Sequence, residues 1–106
     1  MSDEGGGDHD ASAARRDAVV QVLEIVNKKG LHARASAKFC QVVERFDADV
    51  RVTRGHETVG GTSIMGLMML GAATGTTITV EATGKEATAA IEAIDKLVSS
   101  GFGEED

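Results

Sequence analysis

Two periodicities alternate along residues 18–102 of this 106-residue chain, and their order leaves few folds open. Residues 18–26 are mostly β-branched and aliphatic, the make-up of a strand. Asn27-Lys28-Lys29-Gly30 breaks that run as a turn. Ala35, Phe39, Val42, Val43 and Phe46 then recur at helical intervals and predict an amphipathic helix of about three turns. Residues 49–54 alternate, with Val50 and Val52 on one face and Arg51 and Thr53 on the other; Gly55 turns the chain, and residues 56–59 return as a hairpin partner. Residues 63–70 read as a short apolar helix that Gly71 closes. Residues 76–82 alternate again, with Ile78, Val80 and Ala82 inward. Thr83 and Glu86 have the spacing of a capping box, followed by an apolar stripe of Ala87, Ala90, Ile91, Ile94, Leu97 and Val98 that Gly101 ends. The order is β-α-β-β-α-β-α. Each strand must bury one face and each long helix one stripe. A single sheet with all helices on one side satisfies both demands, which is an open-faced α+β sandwich.

The remaining residues have a different character. Residues 1–17 are rich in Gly, Asp, Ala and Ser, lack hydrophobic periodicity and are expected to be a disordered acidic tail. Residues 103–106 read as a second acidic tail, leaving residues 18–102 as one domain. The formal charge is −6, yet residues 18–103 hold nine acids and nine bases, so the tails carry the whole excess. A neutral body argues against binding to duplex nucleic acid. Three Phe, with no Trp or Tyr, leave little for stacking single-stranded bases, which sets aside a small RNA-binding α/β domain. A single cysteine, Cys40, cannot form an internal disulfide and fits a reducing compartment; on its helix it is expected to be a small buried or half-buried side chain. The N-terminal stretch has acids and glycines where a secretory signal needs a basic start and an apolar run, and no segment is long enough to span a membrane. The expectation is a cytoplasmic protein. No Cys/His spacing resembles a zinc site, and no phosphate-binding glycine loop implies a nucleotide, so no metal and no cofactor is expected.

Two segments carry residue types suited to chemistry. In Gly30-Leu31-His32-Ala33-Arg34-Ala35, His32 falls at the turn into the first helix. A helix start presents unpaired amides and the positive end of the macrodipole, both favourable to an anion. Arg34 adds a charged fork suited to phosphate. The group is therefore a candidate phosphoryl acceptor, although a turn histidine beside a base also reads as plain solvated surface. In the second segment, residues 60–71, Ser63 is a good N-cap for the short helix. That helix is apolar nearly all round, so some of Ile64, Met65, Leu67, Met68, Met69 and Leu70 must face outward as an adaptable contact surface, unless they all fill core. A phosphate on Ser63 would suit the dipole and hinder a partner docking there.

Taken together the segments are specific. Gly-Leu-His-Ala-Arg-Ala closely resembles the active-site motif Gly-Leu-His-Ala-Arg-Pro of the HPr family, the histidine phosphocarriers of the bacterial phosphotransferase system. Thr62-Ser63-Ile64-Met65-Gly66-Leu67-Met68-Met69-Leu70-Gly71 resembles the family's regulatory-serine segment. The likeness covers about residues 19–102, and the C-terminal part looks most like the nitrogen-related branch called NPr. The resemblance implies a four-stranded antiparallel sheet with three helices on one side. It implies that His32 takes a phosphoryl group from phosphorylated enzyme I on Nδ1 and passes it to enzyme IIA proteins, with Arg34 assisting. It implies that HPr kinase/phosphorylase acts on Ser63, and that Ile64, Met65, Leu67 and Met68 form a docking face for transient partners, the carrier itself being a monomer. A purely regulatory module working through Ser63 is the alternative, and the intact His32-Ala33-Arg34 speaks against it. One departure is Ala35, where the family has proline; alanine is an excellent helix former, so helix geometry is expected to survive.

Overall fold

The computed structural model describes residues 18–104, and the expected tail over residues 1–17 lies outside them, as do residues 105–106. Its elements are β1 (Val19–Glu24), α1 (Ala33–Glu44), β2 (Asp49–Arg54), β3 (Glu57–Gly60), α2 (Ile64–Met69), β4 (Thr77–Thr83) and α3 (Ala87–Ser99), followed by a 3₁₀ turn over Gly101–Gly103. The four strands pair antiparallel in the order β1-β4-β2-β3. Leu23 lies opposite Ile78 and Val80 opposite Val52, so the alternation read in each strand falls on a common face. On that face Leu23, Val50, Val52, Ile78, Val80 and Ala82 are buried against Phe39 and Val43 of α1, Leu67 of α2, and Ala90, Ile91, Ile94 and Val98 of α3. The expected antiparallel open-faced sandwich is the fold of the chain. The run at residues 18–26 is aliphatic on both faces: Leu23 and Ile25 point into the core, while Val20 and Val22 are exposed on the outer side of β1.

Two local expectations are corrected. Thr83 and Glu86 do not form a capping box: Thr83 is the last residue of β4, paired with Asp49, and Glu86 is the N-cap of α3 without a side-chain cap. Instead, Glu86 Oε1 accepts a hydrogen bond from the Asp47 amide at 2.7 Å, and Asp47 O accepts one from the Glu86 amide at 2.9 Å. The ladder to β2 holds Thr83, and a reciprocal loop contact takes up Glu86. The helix α1 ends at Glu44, so Phe46 lies beyond it; Val42 and Phe46 are only partly buried, Ser36 joins the buried side, and Cys40 is buried as expected. Burial, with Glu44 adding to it, pushes the Cys40 thiol up, so it stays protonated as a small core side chain.

Ala35 is the third residue of α1 and is fully buried. The first bond of the helix runs from the Ser36 amide to His32 O at 2.9 Å, so the Ala35 amide precedes the ladder and a proline there removes no helical bond. Ala35→Pro is expected to keep the fold, with a stability change of about 1 kcal/mol or less in either direction by thermal denaturation. A loss near the ~3 kcal/mol of a mid-helix proline would mean that the ring meets the Leu31 carbonyl.

Candidate functional site

The loop that presents His32 is pinned on both sides. The Gly30 amide donates to Asn27 O at 3.2 Å, closing the turn, and the Leu31 amide donates to Ala72 O at 3.0 Å. Ser36 Oγ donates to Leu31 O at 3.2 Å, and the His32 amide reaches back to Gly30 O at 2.9 Å. Leu31 is drawn into the core, and His32 is left at the N-cap of α1 with its ring free of capping duty. Gly30 has φ of 67°, and a Cβ there would stand 2.3 Å from Ala72 O. Close approach to the chain leaving α2 therefore requires glycine.

Around His32 lie Lys29, Arg34, Lys38 and Glu104, lining a pocket of about 640 Å³. Arg34 is exposed, lines the pocket, and makes no hydrogen bond or ion pair with the described residues. Among the described residues, three cations and the open amides of a twelve-residue helix face one carboxylate, a balance that suits an incoming dianion.

That carboxylate is the feature sequence reasoning did not find. Glu104, read there as part of a solvated tail, is hydrogen-bonded through Oε2 to His32 Nε2. Its Oε1 accepts from Asn27 Nδ2 at 3.1 Å. The Asn27 amide, first, and then His32 and Lys38 hold the Glu104 carboxyl below the usual carboxylate range, against the opposing effect of burial. Asn27 is 2% exposed and spends its second amide hydrogen on Gly30 O at 2.9 Å. The chain arrives here because Phe102 is buried in the core and its carbonyl accepts from Lys38 Nζ at 2.7 Å. Phe102 has φ of 59°, a left-handed conformation rare for a bulky side chain, which burial of its ring sustains. An isolated Phe between glycines, in a chain with three Phe, was the one available signal that this tail is anchored.

Ser63 caps α2, its Oγ accepting from the Gly66 amide at 3.0 Å. The helix packs against α1, and Arg54 Nη1 donates to Leu70 O at 3.1 Å at its far end. Ile64, Met65 and Met68 are exposed as expected, but Leu67 is fully buried and is removed from the docking face. Leu67 in this short helix and Leu70 at its C-cap are turned to the core, and the outward place goes to Met69. His56 stands in the β2–β3 turn, away from the lining of the pocket.

A family model described as the PTS HPr component phosphorylation site matches residues 19–100. The chain belongs to the HPr family. The phosphocarrier protein HPr of Neisseria meningitidis is 50% identical over 84 residues, covering 79% of this chain and 94% of that protein. The phosphocarrier protein NPr of Escherichia coli is 40% identical over 88 residues, covering 82% of this chain and 98% of that protein. Among solved structures, an HPr from Thermoanaerobacter tengcongensis superposes with a TM-score of 0.79 at 39% identity, covering 83% of this chain and 99% of that one. This HPr-family chain is thus a phosphocarrier of the phosphotransferase system by kinship, with relatives in both the HPr and NPr branches. Among the described residues no helix is long and apolar enough to cross a membrane.

Proposed function

We propose that the chain relays a phosphoryl group from phosphorylated enzyme I to enzyme IIA proteins through a covalent intermediate on His32. The observation that carries this reading is the meeting at one imidazole of an open helix N-terminus and the side chains of Lys29, Arg34 and Lys38. A histidine nitrogen attacks the donor's phosphorus while the donor's bond to phosphorus breaks. The amides and Arg34 hold the equatorial oxygens as charge shifts across them. The family membership supports this choice of partners. In a test, the chain mixed with enzyme I, Mg²⁺ and phosphoenolpyruvate takes up one phosphoryl group, lost again on acidification as expected of an N–P bond. No uptake under those conditions overturns the reading.

Partners of such a carrier must dock, react and leave, so the contact should be small and adaptable. Ile64, Met65, Met68 and Met69 on α2 form that surface in our reading, with Met65 and Met69 at 68% and 74% exposure. Ser63, exposed at the N-cap of this helix, is the control point, phosphorylated by HPr kinase/phosphorylase. Because aspartate also caps helices and suits the dipole, Ser63→Asp should leave the melting temperature nearly unchanged. The new charge beside apolar contacts should slow uptake from enzyme I about tenfold, corresponding to roughly 1.4 kcal/mol, and added salt should restore part of the rate. Unfolding of Ser63→Asp would assign Ser63 a purely structural role.

A further inference from the structure

The end of the described chain is built into the site by three separate ties. The Phe102 ring is 1% exposed in the core, its carbonyl takes the Lys38 ammonium, and Glu104 is shared between Asn27 and His32. A carboxylate can only accept hydrogen bonds, so its partner nitrogen, His32 Nε2, must carry the proton. In a neutral ring the other nitrogen, Nδ1, then holds the lone pair. Asn27 fixes the arrangement from behind. Its two amide hydrogens go to Gly30 O and Glu104 Oε1, and the reverse orientation would set its oxygen against both of those acceptors. Its Oδ1, buried, has no partner among the described residues, a cost the structure accepts in order to aim both hydrogens.

We propose that Glu104 is a positioning residue that holds His32 as the Nε2–H tautomer, so that Nδ1 is the nucleophile, with Asn27 holding the Glu104 carboxylate in place. This deepens the phosphocarrier reading and rests on it. When Nδ1 attacks, the Nδ1–P bond forms from its lone pair, and the donor protein's bond to phosphorus breaks with its electron pair returning to the donor. The ring becomes a cation that still carries its proton on Nε2, and the ionised Glu104 beside that proton balances the new charge. Among the described residues, the other charged groups around the ring are Lys29, Arg34 and Lys38; all are cations and attract the phosphoryl oxygens, leaving Glu104 to serve the imidazolium.

Glu104→Gln separates this role from simple bracing. Asn27 still offers a hydrogen, so the glutamine oxygen stays on Asn27 and its amide nitrogen turns to His32. A donor then faces Nε2, and the ring must put its proton on Nδ1, the wrong tautomer, as happens when the triad aspartate of a serine protease is replaced by asparagine. Glu104→Ala offers neither donor nor acceptor and leaves the ring free to choose. In full-length protein labelled with ¹⁵N-histidine, the wild type should show a protonated, pyrrole-like His32 Nε2, and Glu104→Gln a protonated Nδ1. Phosphoryl uptake should fall roughly a hundredfold in Glu104→Gln and only a few-fold in Glu104→Ala. An unchanged tautomer in Glu104→Gln, or Glu104→Ala as the slower of the two, overturns the proposal. The ¹⁵N exchange appearing in a protein that takes up no phosphate would uphold the positioning role while the phosphocarrier reading fell.

Discussion

His32→Ala takes up no acid-labile phosphate from phosphoenolpyruvate and enzyme I, while its fold persists. The expectation of full loss follows from the chemistry: the imidazole supplies the bond to phosphorus itself, and neither the amides of α1 nor Arg34 can replace a nucleophile. Persistence of the fold follows from the position. The His32 side chain is 28% exposed, makes no capping bond, and its backbone bonds to Gly30 and Ser36 do not depend on the ring. Losing the contact with Glu104 should cost about 1 kcal/mol, because the carboxylate keeps its bond to Asn27 and part of its access to water. The measurement is phosphate incorporation beside a melting curve for each protein. Undiminished incorporation in His32→Ala would move the assignment to another side chain. His56, in its exposed turn, lies outside the lined pocket and should leave uptake unaltered when replaced by alanine.

The elements were legible because their signals are local. Val50, Val52, Ile78, Val80 and Ala82 alternate as the pleat requires, and Ala87, Ala90, Ile91, Ile94 and Val98 repeat as a helix requires, so each segment announces its buried face within a few residues. His32 and Arg34 were legible through motif and turn. Glu104 was not, because it meets His32 across 72 residues of chain, and charge at a terminus reads as solvated whatever it touches. The Thr83–Glu86 spacing misled for a related reason: a capping box competes with tertiary partners, and here the β2 ladder and the Asp47 amide win. Leu67 went astray because a six-residue helix that is apolar nearly all round has too little polar contrast to tell its inner side.

Gly30→Ala should be the most damaging single change outside the large core side chains, and for two separable reasons. The first is backbone conformation: at φ of 67° an alanine gives up about 1–2 kcal/mol relative to glycine. The second is contact. The added Cβ would stand 2.3 Å from Ala72 O and 3.0 Å from Ala73 Cα, both backbone atoms that cannot rotate aside. Relief requires the Asn27–Leu31 loop and the segment after α2 to part, which strains the Leu31 amide's bond to Ala72 O. The two effects together should remove about 3 kcal/mol, or roughly 15 °C of melting temperature for a domain of this size. Gly55→Ala is the control, since Gly55 has φ of 63° and nothing within 4 Å of the new Cβ, so it carries the conformational cost alone. Equal losses in the two variants would show that the loop yields freely and that Ala72 does not anchor it. A larger loss in Gly30→Ala, together with slower phosphoryl uptake at temperatures where the protein is still folded, would tie the placement of His32 to this backbone contact, since Leu31 and His32 follow directly from the displaced residue.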